Sequence, residues 1–403
     1  RAAYAALFAR CGVATVETPT ELVETLKVLD HGGVLSGYRM ASLSCSGGEA
    51  SLVADLSETT SLEFSPFPDE QRSRIEATLT ELVSIANPFD YHTFMWGDRA
   101  AMKATFSETM DGPHDATMLV LDAPPSPDQD PSSWIVAADA FADAAQHTKR
   151  RGVVVATMPE CLAPDVRDAI AARGLAPLQG LRESLVALDR AAWLGAHEPQ
   201  TPPAPVSAPG VTKLVDEERA KNVLASLGVR VPRGKRTTRA ELESAASSVG
   251  YPVTLKGLGL AHKSESGAVA IGLKDAAALR AAVEAMPTSI TEFLVEETVT
   301  GIVAEVLVSI RRAAPLGWLL TIGAGGVLTE LWKDTLSLLA PASRNDIETA
   351  ITKLRIAPIL AGYRGKPAGD VTALVDFIEH LQRVVVGTNM VEVELNPVLV
   401  TMS

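Results

Sequence analysis

Between Glu198 and Gly210 the chain carries five prolines in thirteen residues: Pro199, Pro202, Pro203, Pro205 and Pro209. A proline has a fixed φ and no amide donor, so this stretch sustains neither a helix nor an inner strand and reads as a semi-rigid linker. Whatever folds on either side must bury its own apolar residues. A length of 403 residues calls for two to three domains. With the linker taken as 197–211, we expect a helical tail of a preceding domain over 1–35, one domain over 36–196 and another over 212–403. The chain begins at Arg1 without methionine and stops at Ser403 directly after an expected strand, so both ends are read as cut from a longer protein.

The net charge of −13 leaves no basic surface to release counterions from a nucleic acid backbone, which argues against nucleic acid as a partner. Cys11, Cys45 and Cys161 are odd in number and form no CxxC pair, which fits a reducing cytoplasm rather than a disulfide scaffold. No apolar run reaches the roughly 18 residues a membrane helix needs, and residues 1–11 lack the order of a signal peptide. A cytoplasmic protein is expected.

Ahead of the linker, short apolar strands at Met40 to Ser44, Met118 to Leu121 and Val153 to Ala156 alternate with helical patterns at Glu49 to Leu56, Ser132 to Gln146 and Ala163 to Ala172. That alternation predicts an α/β domain with a doubly wound parallel sheet. Behind the linker a helix is expected over Asp216 to Leu227, closed by Gly228. Strands follow at Pro252 to Lys256, Ala268 to Leu273, Phe293 to Glu297, Ala304 to Ile310 and Trp318 to Ile322. Two helices, Arg344 to Leu354 and Asp370 to Val385, precede a last strand at Met390 to Leu395. This half reads as α+β. His114, His147, His197 and His380 sit in no partner pattern and are expected at the surface.

Five segments carry chemistry. From Leu255 to Gly267 a strand delivers Lys256 into a glycine-containing loop bearing His262 and Lys263. Lysine neutralises phosphate as a point charge, and an imidazole that is neutral near pH 7 is a competent phosphoryl acceptor. The same pattern also describes an exposed loop histidine. In the closing strand, alternation puts Glu392, Glu394 and Asn396 on one face and Val391, Val393 and Leu395 on the other. The polar row is either a set of oxygen ligands for Mg²⁺ or a solvated face. Gly323, Gly325 and Gly326, followed by Lys333, form either a phosphate-binding turn or a plain one. In the first half, Ser46, Gly47 and Gly48 open a helix where an anion is stabilised. Asn87 and Asp90, with Tyr91, His92 and Trp96, form an aromatic, polar loop that either lines an acyl pocket or packs locally.

Taken together, these segments resemble the ADP-forming acetate–CoA ligase family of the succinyl-CoA synthetase superfamily, most specifically at His262–Gly267 and Glu394–Pro397. The resemblance implies a flavodoxin-like ligase domain followed by an ATP-grasp domain, with ATP, Mg²⁺ and coenzyme A. His262 would relay phosphate; Lys256, Lys263, Glu297, Gly325, Gly326 and Lys333 would hold the nucleotide; Glu394 and Asn396 would hold Mg²⁺. Ser46, Gly47, Gly48, Asn87 and Asp90 would form the acyl or phosphate site. The family pattern has Asp where this chain has Glu394 and continues to a further acidic ligand beyond Ser403. The implied reaction joins a small carboxylic acid to coenzyme A through acyl phosphate and phosphohistidine. A homo-oligomer is expected, with a CoA-binding domain N-terminal to Arg1. Two other readings stay open: a lyase that adds coenzyme A and then cleaves its substrate, and a sensor of coenzyme A or nucleotide without turnover.

Overall fold

The computed structural model describes residues 2–79, 83–126, 130–258, 267–326 and 329–402. The chain divides into two compact units, residues 8–201 and residues 202–403 joined by residues 1–7.

The first unit is built on five strands: β1 (Met40–Ser44), β2 (Phe89–Asp90), β3 (Ala116–Val120), β4 (Gly152–Ala156) and β5 (Ala176–Gln179). They lie in the order β2-β1-β3-β4-β5, and all four pairings are parallel. This is the flavodoxin-like winding, in which the chain direction of winding reverses between β1 and β3. β1, β3 and β4 are buried along their whole length, because helices cover both faces. Alternate residues feed two cores. Leu43, Phe89, Leu119 and Val154 pack with Phe106 and Phe141, while Met40, Met118, Val153 and Val155 pack with Val53, Leu185 and Leu188. Gly152 is a glycine for reasons of space: a Cβ there would sit 2.8 Å from the Phe141 ring. Five elements of this unit escape the sequence reading: β2, β5 and the helices Asp69–Glu76, Arg99–Met110 and Leu181–Ala196. β5 is four residues of Ala-Pro-Leu-Gln with no alternation to detect, β2 is two residues long, and the helix Leu181–Ala196 follows directly on β5.

The second unit holds two antiparallel sheets. One, ordered β6-β9-β7-β8, comprises β6 (Gly234–Thr238), β7 (Val253–Gly257), β8 (Val269–Leu273) and β9 (Glu292–Glu297). The other, ordered β12-β11-β10-β13, comprises β10 (Ile302–Arg312), β11 (Trp318–Ala324), β12 (Thr335–Ala340) and β13 (Glu392–Thr401). Helices Leu242–Val249 and Ala276–Ala285 cover one face of the first sheet through Leu242, Ala246, Leu279 and Val283. Helices Arg344–Thr352 and Val371–Val385 cover one face of the second through Ile347, Ile351, Ile378 and Leu381. Each sheet therefore keeps one polar face. The helix Glu217–Ser226 sends Leu224 into the core of the second sheet.

Two histidines depart from the expected surface position. His114 is buried edge-on against Phe67, ring centroids 5.6 Å apart, and burial, aided by the field of Arg39, pulls its pKa down to about 4. The Nε2 of His380 lies 2.8 Å from the Leu227 carbonyl oxygen. Among the described residues, no helix is long and apolar enough to cross a membrane.

Phe141 is fully buried between a helix and the sheet. Phe141→Ala is expected to destabilise the first unit by about 3–5 kcal/mol, measured as a lowered urea midpoint with the transition of the second unit unmoved.

Candidate functional site

In the second unit the polar face of the β7–β9 sheet gathers a four-charge cluster. Phe293 and Val295 point to the helices, so Glu296 faces the other way, and on β7 Lys256 shares its side with Thr254. Lys256 Nζ reaches Glu217 Oε1 at 2.7 Å and Glu296 Oε2 at 2.9 Å. Lys221 reaches the same Glu217 oxygen at 2.9 Å and also binds Glu296 Oε1. Two lysines and two glutamates thus sum to zero. Glu296 is 3 % exposed, a burial that an unpaired carboxylate would not tolerate. Burial alone would lower the Lys256 pKa; the Glu296 and Glu217 carboxylates outweigh it and hold the ammonium above its ordinary value. Lys256 is therefore a permanent cation at physiological pH. Gly234 makes the space: a Cβ there would lie 2.9 Å from Glu296 Cγ.

The sequence reading chose Glu297, the next residue along β9. Its carboxylate accepts from the Arg233 amide at 2.9 Å and from Arg233 Nε at 2.8 Å, and the backbone bond, with the guanidinium behind it, holds its pKa below the usual range. Strand alternation counted from Phe293 and Val295 would have picked Glu296. Glu217 and Lys221, one helical turn apart, had no signal until their helix was seen against β9.

A second cluster lies on the β10–β13 sheet. As alternation required, Glu392, Glu394 and Asn396 are exposed while Val393 and Leu395 pack on the core. The Asn396 carbonyl oxygen accepts from the Gly326 amide at 2.8 Å, which ties the closing strand to the glycine run after β11. The Gly325 amide donates to the Glu305 carbonyl oxygen at 2.8 Å. A Cβ on Gly325 would come within 2.7 Å of β10 backbone, and one on Gly326, whose φ is +77°, would collide with the Glu305 carboxylate. Both glycines are required by close approach rather than by flexibility. They deliver a third oxygen donor, Glu305, that no motif announced. Lys333 is exposed with φ +47°. Its neighbour Asp334 is structural, accepting from the Arg355 and Ile356 amides at 2.9 and 3.0 Å. His262 and Lys263 lie outside the described residues.

In the first unit, β1 ends at Ser44, β2 at Asp90 and β3 just before Asp122, so their side chains meet at the carboxyl edge, where the winding reverses. Ser46 caps the helix Gly47–Ser57 and its Oγ accepts from the Gly48 amide. A Cβ on Gly47 would be 3.4 Å from the Asp90 carboxylate. Asp90 also accepts from the His92 amide at 2.9 Å. Asp122 accepts from the Thr157 amide and hydroxyl at 2.7 and 2.5 Å. Asn87 is spent on structure: its amide group binds the Ser42 amide and the Met40 and Ser65 carbonyls, pinning the short β2 segment to β1.

Glu49, in the first helical turn, was passed over by sequence reasoning. Burial pushes its pKa up to about 7, helped by the fields of Asp122 and Asp90 and opposed by a backbone hydrogen bond at Cys45. One carboxyl oxygen, Oε2, is buried without a partner, as is the Tyr91 hydroxyl. Burial and the nearby Glu49 carboxyl lift Cys45 to about 11, so it is a neutral thiol at physiological pH and no ready nucleophile. Beside this edge a cavity of about 370 Å³ is lined by Pro124, Pro125, Pro131, Trp134, Pro164 and Val166. The Trp134 indole donates to the Asp122 carbonyl at 2.6 Å and meets Trp96 edge-on.

Residues 208–403 match the family model described as an ATP-grasp domain. Over 411 aligned residues the chain is 27 % identical to a trans-feruloyl-CoA synthase from an unknown prokaryotic organism, covering 97 % of this chain and 58 % of that protein. The beta subunit of ADP-forming acetate–CoA ligase II from Pyrococcus furiosus is 29 % identical over 208 residues, 48 % of this chain and 88 % of the subunit. A solved dinucleotide-forming acetyl-coenzyme A synthetase from Candidatus Korarchaeum cryptofilum, in complex with coenzyme A and Ca-AMPCP, is 27 % identical. It covers 47 % of this chain and 88 % of its own, with a TM-score of 0.44.

Removing one partner of the buried cluster strands the others. Glu296→Ala should cost the second unit about 3–5 kcal/mol in equilibrium unfolding, whereas Glu297→Ala, on a mostly exposed arginine, should cost less than about 1 kcal/mol.

Proposed function

With residues 208–403 forming an ATP-grasp domain and the chain homologous to the ADP-forming acetate–CoA ligases, we propose that it catalyses acid + CoA + ATP ⇌ acyl-CoA + ADP + phosphate. The chain spans 58 % of the length of the feruloyl-CoA synthase it matches, so the full reaction belongs to the longer architecture, with a ligase domain over 36–196 and the nucleotide domain behind the proline linker.

The observation that carries the reading is the hydrogen bond from the Gly326 amide to Asn396. It sets a glycine turn, able to approach phosphate closely, against a row of hard oxygen donors. Mg²⁺ usually takes one or two carboxylates and completes its shell with water and nucleotide phosphates. Glu305, Glu394 and Asn396 fit that pattern. Among the described residues no three Asp, Glu, His or Cys side chains form a ready metal cage. When bound, the ion neutralises charge on the phosphates. Lys256 supplies an oriented ammonium donor to them, and Gly325, Gly326 and Lys333, with Lys263 outside the described residues, would make the further nucleotide contacts. His262 accepts the γ-phosphoryl group and passes it on; the carboxylic acid then becomes an acyl phosphate, and the thiol of coenzyme A displaces phosphate from it. Dividing one hard displacement into several easier ones is the gain.

An aromatic acid is favoured over acetate as the substrate. The feruloyl-CoA synthase similarity, which runs along nearly the whole chain, supports this choice. Assembly as a homo-oligomer in the cytoplasm, with a CoA-binding domain ahead of Arg1, completes the proposal.

Mixing protein with MgATP, coenzyme A and a panel from acetate to ferulate should release ADP only when acid and thiol are both present, fastest with ferulate. ADP release that ignores the acid would overturn the ligase reading, and a cleaved product would establish the lyase instead. Asn396→Ala should raise the Mg²⁺ concentration for half-maximal ADP release by about tenfold or more, because even changes behind a metal ligand cost that much. His262→Ala should abolish acid-labile, base-stable labelling of the protein by γ-labelled ATP.

A further inference from the structure

Three carboxylates converge at the carboxyl edge of the first unit's sheet, and the mechanism above uses none of them. Glu49 stands in the first turn of its helix, Asp90 at the end of β2 and Asp122 just past β3. Open parallel sheets bind ligands in this crevice, where the winding reverses. Two of the three carboxylates are satisfied: Asp122 by Thr157 and Asp90 by the His92 amide. Glu49 is not, because its Oε2 is buried without a donor. Next to it stands Tyr91, 0 % exposed, with an equally unpartnered hydroxyl; the field of Glu49 is among those acting on that phenol. A second, independent polar group with nothing to bind marks this as more than an acidic patch, since buried polar groups are nearly always paired.

An anion cannot settle among three ionised carboxylates. One of them has to hold a proton, and the choice falls on Glu49: a backbone hydrogen bond at Cys45 supports its charge, but burial outweighs that bond and leaves Oε2 without a partner, whereas Asp122 accepts two hydrogen bonds from Thr157 and Asp90 one from the His92 amide. We propose that Glu49 receives an oxygen of the acid substrate in the switch-point crevice, and that it does so as a neutral carboxylic acid donating a hydrogen bond. The inference rests on the reading of this unit as a ligase domain. The proton stays on Glu49, and no bond to it forms or breaks. A carboxyl group kept neutral by its surroundings so that it donates a hydrogen bond is an established device in other enzymes. The value near 7 that burial and its acidic neighbours give Glu49 puts the change of state within the physiological range. The groups facing it are Asp122, Asp90, Cys45 and Tyr91, and none is a cation that would favour the charged form.

The test is direct binding of ferulate to the full chain by titration calorimetry, without nucleotide or coenzyme A, between pH 6 and 8.5. If ligand binds only the protonated form, affinity is flat below the Glu49 pKa and falls about tenfold per pH unit above it. At pH 8, in two buffers of different ionisation enthalpy, binding should take up close to one proton. Glu49→Gln, which keeps a neutral donor, should bind with no pH dependence and without proton uptake, and should weaken binding less than Glu49→Ala does. Binding to wild type with no proton uptake at pH 8 overturns the proposal, and that measurement needs no variant to fold. Equal losses in Glu49→Gln and Glu49→Ala overturn it as well. Failure of the ligase reading looks different: ferulate binds with proton uptake, yet no acid in the panel releases ADP.

Discussion

A lysine on an otherwise apolar strand stays charged only if the protein surrounds it with matching carboxylates, and Lys256 imposes that condition on the whole second unit. Glu296 must be on the neighbouring strand at the right parity, and Gly234 must be small to admit it. Glu217 must be brought from a helix outside the sheet, and that helix is anchored from its other side by Leu224 in the core of the second sheet. One ion-paired cluster thus couples the position of β7, β9 and the helix Glu217–Ser226. Buried ion pairs are poor sources of stability, because desolvation consumes most of the attraction. Their retention here makes sense as placement: a charge fixed in position, with donors already oriented, reorganises little when it meets phosphate.

How legible this was depended on whether the signal was local. The parallel strands β1, β3 and β4 are unbroken apolar runs between turn residues, and burial on both faces is what such runs mean. β13 announced its polar row by alternation alone, and Glu394 and Asn396 stand on the exposed face as the period of two required. β2 and β5 were missed because two residues and four residues carry no period. Glu305, Glu217 and Glu49 were missed for a different reason. Each is an ordinary acidic residue in its own segment, and acquires significance only from what another segment places beside it. Glu297, chosen in the sequence, pairs with Arg233, while the place of Glu296 in the cluster was legible by parity from Phe293 and Val295. Asn87 and His114, in contrast, were read as polar and therefore available, when one is a staple between strands and the other a buried ring against Phe67.

The two polar clusters solve the same physical problem in opposite ways. A phosphate-bearing ligand needs positive potential. In the second unit the cluster around Lys256 is neutral as a whole and offers an oriented ammonium donor rather than net charge, so in the proposed mechanism the positive charge comes with a divalent ion between the oxygen donors and the nucleotide. In the first unit, taken by itself, no cation stands among the groups acting on Glu49, and the helix amides contribute only a partial positive charge. The acidic neighbours there would repel an anion unless a proton comes with it. In these two proposals a proton does at Glu49 what a metal ion does at Glu394: it converts a carboxylate from a source of repulsion into a partner. The difference is that a proton is bound at a single oxygen and gives one directed hydrogen bond, which suits a small carboxylic acid, whereas a divalent ion spans several oxygens at once, which suits a polyphosphate. The chemistry of each ligand is thus written in how its crevice removes the same excess of negative charge.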